Sequence, residues 1–223
     1  QYLTCSNTEL RLSACLIYAF SNLSIGQIEQ AKQVLEKIKS TLKEDKERAQ
    51  QIKVIDAFIV MAAAVLLHLP LPEDIPSMQE FIPILPFGLR SFALYVEAHY
   101  LYLQKTYEKS IGIIEAALAM GANQYPIPAI YLHLAAVMDY MSLKQLEKAE
   151  NHLLIAWKLA RSDDLIEGFG EHHGLLQGLV EQYIKEESPE EFDRIFRIME
   201  RFSYGWQKWH GLRSKGEGAK AVG

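Results

Sequence analysis

Four side chains with hydrogen-bonding or stacking capacity recur at spacings of three and four in one stretch: Phe92, Tyr95, His99 and Tyr102. On a helix of 3.6 residues per turn these spacings place them on a single stripe. Phenol and imidazole tips on an aromatic surface could stack on a sugar or an aromatic ligand, or grip a peptide, because each combines apolar area with a hydrogen-bonding end. The same residues would equally serve as packing between helices. A second group, Glu171, His172 and His173, has the side-chain types of a zinc site. Adjacent helical residues point about 100° apart, however, and no helical HxxxH or CxxC spacing supports them, so no metal and no cofactor is expected. His68, His133, His152 and His210 are scattered along the chain. There is no phosphate-binding glycine loop, nucleophile elbow or paired-carboxylate pattern, so the expectation is that the chain is not an enzyme.

The elements that carry these residues are helices, since apolar periodicity near 3.6 dominates and no sustained strand alternation occurs. The spacing predicts helices over about 8–23, 25–43, 47–69, 88–106, 107–120, 128–141, 144–161 and 164–185, and a last one from Ser188 to Phe202 or a little further. Pro70 and Pro72 end the third, and Pro76, Pro83 and Pro86 confine any helix between Ser77 and Leu85 to about two turns. Gly121 stands at a C-cap position. Asp164 with Glu167, and Ser188 with Pro189 and Glu191, read as helix starts of the capping-box type.

The helices repeat as pairs. Ala98, Tyr107, Ser110, Ile114, Ala117 and Leu118 are echoed 39 positions later by Val137, Leu146, Ala149, Leu153, Ala156 and Trp157. Ala19, Ile28, Ala31, Leu35 and Ile38 carry the same offsets, and Ile28 precedes Tyr107 by 79 positions, close to two periods. A helical period of this size predicts an all-α fold, an α-α superhelix of about five helical pairs over residues 1–205. Solenoids of this kind recognise other molecules, which points to binding before catalysis.

Length and composition agree with a soluble globular chain: 223 residues, 49% hydrophobic and 23% charged. The net charge of −5 argues against nucleic acid as a direct partner of this segment. The uncharged run Ala57 to Leu67 is too short for a membrane span, and Cys5 and Cys15, ten positions apart, read as reduced thiols in a cytoplasmic setting. Glycines 168, 170, 174 and 178 are spaced to let a neighbouring helix approach. Phe202, Tyr204, Trp206 and Trp209 are expected to cap the end of the core or to dock an adjoining domain, with Trp206 and Trp209 as docking residues. Residues 206–223, with Lys208, Arg213, Lys215 and Lys220 against Glu217, read as a linker.

The repeat pattern resembles the tetratricopeptide repeat, lengthened to about 39 residues and without its signature Trp and Pro. Over most of its length the chain is also similar to the helical-repeat sensor region of LuxR-type transcriptional regulators, including the group that resembles the bacterial maltose-regulon activator. Phe202, Tyr204, Gly205, Trp206, Trp209 and His210, followed by a Gly- and Lys-containing stretch, are similar to the junction before their DNA-binding domain. The resemblance implies that DNA is bound only through a domain absent from this chain, and that this segment senses a small-molecule effector or a protein partner, with self-association open. It further implies that first helices line a concave groove, placing Phe92, Tyr95, His99 and Tyr102 beside Tyr131, Leu134 and Met138 of the next pair. The alternative is a stand-alone scaffold that binds a protein or peptide with no transcriptional role.

Overall fold

The computed structural model describes residues 8–43, 49–67, 78–85 and 87–211, and all regular structure among them is helical. In order the α-helices are α1 (Thr8–Ser24), α2 (Ile28–Lys43), α3 (Ala49–Leu67), α4 (Met78–Phe81), α5 (Phe87–Leu103), α6 (Tyr107–Ala119), α7 (Pro126–Ser142), α8 (Leu146–Ser162), α9 (Glu167–Glu171), α10 (Leu179–Tyr183) and α11 (Pro189–Trp209). Among the described residues no helix is long and apolar enough to cross a membrane. The Pro70–Pro72 pair, Cys5 and the basic residues beyond Gly211 lie outside the described residues.

Three antiparallel hairpins, α1/α2, α5/α6 and α7/α8, share one construction. Each first helix ends in a left-handed residue, Gly26 (φ 71°), Lys105 (φ 59°) or Lys144 (φ 59°), at the same place in the repeat. The next residue's N–H reaches back to the carbonyl five positions earlier: Gln27 to Asn22 (2.8 Å), Thr106 to Leu101 (3.0 Å) and Gln145 to Tyr140 (2.8 Å). This is the Schellman closure, which satisfies carbonyls that the helix end would leave unpaired. The small residues of the repeat then sit at the helix crossings. Ala31, Ser110 and Ala149 are fully buried opposite the buried Ala19, Ala98 and Val137, and the Ser110 hydroxyl donates to the Ala98 carbonyl (2.8 Å). A larger side chain there would force the backbones apart.

Between the first and second of these hairpins, the described residues after α3 form the single turn α4 and a 3-10 turn at Ile82–Ile84, in keeping with the shortened helix expected from the prolines. α3 packs against α5, and α5 against α7, so these three helices form a continuous row. The core runs along it through Phe58, Tyr95, Leu132, Leu134 and Ile114 into Phe169, Val180 and Ile195.

The C-terminal part departs from the expected fifth pair. In place of one helix over 164–185 there are α9, a 3-10 turn at His173–Leu175 and α10, divided by left-handed Gln177 and Gly178 (φ 52° and 84°). Four glycines in eleven residues weaken the helix by about 1 kcal/mol each relative to alanine, enough for tertiary packing to break it. Gly168 and Gly170 do allow close approach: a Cβ on Gly168 would lie 3.0 Å from Leu134 Cδ1, and one on Gly170 2.4 Å from Ile198 Cγ2. Gly174 and Gly178 face open space. Neither expected capping box forms. Asp164 is itself left-handed (φ 59°) and its carboxylate takes both guanidinium nitrogens of Arg194 at 2.7 Å, while Ser188 is the N-cap of α11 without a side-chain cap bond.

α11 extends well past Phe202, so the boundary expected after Gly205 falls inside a helix. Its buried stripe is Phe192, Ile195, Ile198 and Gly205, and the end of the core is closed by the first three of these. Of the expected cap residues, Tyr204 is 46% exposed, Phe202 and Trp206 are half-buried with Trp206 stacked on His210 (4.2 Å between ring centres), and the Trp209 side chain is outside the described residues.

Candidate functional site

α5 and α7 run side by side and present the predicted stripe to each other. Phe92 lies 5.3 Å from Tyr95 and 5.7 Å from Tyr131 between ring centres, Tyr95 lies 5.0 Å from Tyr131, and His99 lies 6.0 Å from Tyr102. Edge-on and tilted arrangements of this kind are the favoured aromatic contacts. The structure therefore brings together Phe92, Tyr95, His99, Tyr102 and Tyr131. Met138 is fully buried two turns further along α7, about 10 Å from Tyr131 along the axis. Trp206 lies on α11 away from these rings, and the Trp209 side chain is outside the described residues.

Tyr95 and His99 are interior, at 0% and 2% exposure, whereas Phe92, Tyr102 and Tyr131 are half-buried. Its cover is the C-terminal segment. His172 of the α9 terminus inserts between α5 and α7, within 5.8 Å of the rings of Tyr95, His99 and Tyr131. On the other side Phe20 of α1 stands edge-on to Phe92 at 6.0 Å.

Hydrogen bonding orders the buried polar atoms into a directed chain. His172 Nδ1 is 2.7 Å from the Gly168 carbonyl, which can only accept, so Nδ1 carries the proton. With His172 neutral, its Nε2 is an acceptor and the Tyr95 hydroxyl donates to it (2.8 Å). The Tyr95 oxygen is then left to accept from His99 Nδ1 at 3.1 Å. Beside this chain the Tyr131 hydroxyl donates to Glu171 Oε2 at 2.6 Å, a short charge-assisted bond, and the Ser24 hydroxyl is a second hydrogen-bonding neighbour of that carboxylate. Burial, and then the nearby Glu171 charge, push both tyrosines well above the usual phenol range, so both remain hydroxyl donors at physiological pH. Burial also raises Glu171, partly offset by the Ser24 and Tyr131 hydroxyls.

Glu171, His172 and His173 diverge as their helical spacing requires. Glu171 turns to Tyr131, His172 to Tyr95, and His173 lies 3.0 Å from Glu181. Sequence reasoning weighed these three only as metal ligands and missed that two of them complete the aromatic stripe. The available signal was the mixture of carboxylate and imidazole in a glycine-rich segment able to approach α7 closely.

Two other buried groups stand apart. Asp139 on α7 is fully buried with no partner in hydrogen-bond geometry on either carboxylate oxygen, and burial pushes its pKa up to about 7, the nearby Ser110 hydroxyl opposing the rise and the Glu108 charge adding to it. His133 and His152 meet Nδ1 to Nδ1 at 2.8 Å across α7 and α8, one donating to the other. Burial lowers both, His133 to about 4, so the pair is neutral at pH 7.

Compared with protein-family models, with curated proteins and with solved structures, the chain matches none.

Proposed function

We propose that this chain is the sensor or interaction module of a bacterial LuxR-type transcriptional regulator, a cytoplasmic tetratricopeptide-like superhelix of about five helical pairs that recognises a small-molecule effector or protein partner. The observation that carries the reading is the partly buried, hydrogen-bonded ring cluster, where Tyr95 and Tyr131 of the helical row bond to His172 and Glu171 of the C-terminal segment. Such a junction is a two-position element. A ligand with ring surface and hydroxyl groups, such as a sugar or an aromatic metabolite, can take over the bonds of His172 and Glu171 and so compete with the C-terminal segment for the row. By population shift, ligand binding then changes the freedom of α11 and of whatever follows it, a DNA-binding domain on this reading. The role is recognition and not catalysis, because the polar tips of the cluster spend their bonds on one another. Trp206 and Trp209 are the residues proposed to dock the adjoining domain.

The test is a thermal-shift screen of the chain against oligosaccharides, nucleotides and aromatic metabolites. A ligand present at a hundred times its Kd stabilises the folded state by about 2.7 kcal/mol, a readily visible rise in Tm. The expected hit loses its effect in Tyr131→Phe, which keeps the ring and removes the donor. A full-length gene encoding no DNA-binding domain would remove the regulator and leave the stand-alone scaffold.

A further inference from the structure

The two ends of the described chain meet. The turn between α1 and α2 meets α11 backbone to backbone: a Cβ on Gly205 would lie 2.3 Å from the Gly26 Cα, and one on Gly26 2.9 Å from the Arg201 carbonyl oxygen. Gly26 is also left-handed (φ 71°), so the turn conformation and the close approach are served by the same residue. The contact between α1 and α11 is narrow, and the ion pair of Arg201, whose carbonyl faces Gly26, with Glu167 at 3.1 Å is exposed and contributes little. Little apolar area is lost when such a contact parts, in contrast to α7/α8, where an almost continuous run of buried side chains from Ala129 to Tyr140 is packed on both sides. Local opening follows the elements with the fewest buried apolar contacts. Ser24, two residues before Gly26, neighbours Glu171, which accepts from Tyr131, and Phe20 of the same helix stands against Phe92.

We propose that the seating of the α1–α2 turn on α11 through Gly26 and Gly205 is a clasp, which opens and recloses while α5 to α8 stay folded and whose opening admits a ligand to the Tyr95–Tyr131–His172 cluster. The clasp deepens the sensor reading, since its gating role rests on the cluster being the recognition site. Closed, it holds Glu171 against Tyr131 and keeps His172 between α5 and α7. Open, it releases the N-terminal hairpin from the C-terminal part of α11, which couples entry of a ligand to movement of that end of the helix, while Phe192, Ile195 and Ile198 stay in the core.

Hydrogen exchange on the full 223-residue chain tests it without any ligand. Peptides covering 20–28 and 199–208 are expected to exchange together and faster than those of α7 and α8. Alanine normally strengthens a helix relative to glycine, so Gly205→Ala separates local propensity from the contact. It should speed exchange in both segments by about ten- to a hundredfold, the size of an overpacking defect, and leave α7 and α8 unchanged. Gly112→Ala, where nothing lies within 4 Å of the added Cβ, is the control and should speed neither. Access is read by diethyl pyrocarbonate modification of His99 and His172, which are 2% and 1% exposed and should react faster in Gly205→Ala by the same factor. If residues 20–28 are unaffected, or if α7 and α8 exchange faster in step, there is no separate clasp. Should exchange rise without faster histidine modification, the clasp does not gate the cluster. If Gly205→Ala does not fold, exchange of the unaltered chain in low urea decides the matter, since a single transition covering all helices excludes a local opening. None of these outcomes depends on whether the ligand screen finds a hit, so the clasp and the sensor reading fail separately.

Discussion

The hairpins α5/α6 and α7/α8 and the stretch from α9 to α11 solve the same packing problem in different ways. In the hairpins, small side chains at fixed offsets let two long helices cross, with Ser110 and Ala149 in equivalent positions and Lys105 and Lys144 in equivalent turns. In the C-terminal stretch glycines do this work, and at Gly170 and Gly205 the neighbour is so near that even a methyl group has no room. A repeat crossing tolerates a range of small residues because the helices only touch. The C-terminal helices approach to backbone distance, which fixes a single residue type and sacrifices helix regularity.

The largest expected effect breaks this contrast at its sharpest point. Gly170→Val should cost about 3 kcal/mol or more in urea unfolding, since both Ile198 and the Ile195 carbonyl stand within the added volume. Gly112→Ala on α6 should instead gain about 0.5–1 kcal/mol. Near-equal effects at the two sites would erase the distinction between the regions.

Next in size is Asp139→Asn, a defect within the regular region. Folded, the acid keeps its proton up to about pH 7, whereas unfolded it releases it near 3.8, so stability falls as pH rises between the two. Asparagine should raise stability above pH 8 by about 2 kcal/mol and abolish that fall. The His133–His152 pair acts in the opposite sense. Its folded pKa is depressed, so its contribution is lost as pH falls from 6.5 towards about 4. In Asp139→Asn this acid-side loss should stand out more clearly in a plot of unfolding free energy against pH, over the smaller opposing slope left by Glu97 and Glu171, which burial also raises. A slope unchanged by the substitution would mean that Asp139 is ionised in the fold.

Smaller again is Ser110→Ala, expected to cost about 1 kcal/mol for the hydrogen bond to Ala98, because alanine already occupies the equivalent Ala149 position. A loss as large as that at Gly170 would show that the repeat equivalence is only geometric. The smallest change belongs to Arg194→Gln. Its pairing with Asp164 is bidentate but exposed, so the unfolding midpoint should barely move and any difference should vanish in about 1 M salt.

Much of the array was legible in the residues. The helix ends came within a few positions because prolines, Gly121 and the repeat offsets mark them, and the same offsets located Ala31, Ser110 and Ala149 at the crossings. The stripe Phe92, Tyr95, His99 and Tyr102 was legible as a stripe, since helical spacing fixes a face. Whether that face is open was not, because nothing in α5 records that His172, 77 positions beyond Tyr95, bonds to it. The break in the helix over 164–185 escaped for a related reason. Its glycines lower the helical preference without choosing where it fails, and the choice falls to the contacts of Gly168 with α7 and Gly170 with α11.

By itself, then, the sequence determined what local forces decide: an all-helical chain, hairpins of one design, and a ring-bearing face on α5. Helical periodicity and turn chemistry act over a few residues, so they are written in a few residues. The tertiary structure alone decided that Tyr95 and His99 of this face are buried while Phe92 and Tyr102 are half-covered, that Glu171 and His172 complete it, and that Gly26 meets Gly205. Those are contacts between segments far apart in the chain, selected by the geometry of the whole core and not by the preference of any one stretch.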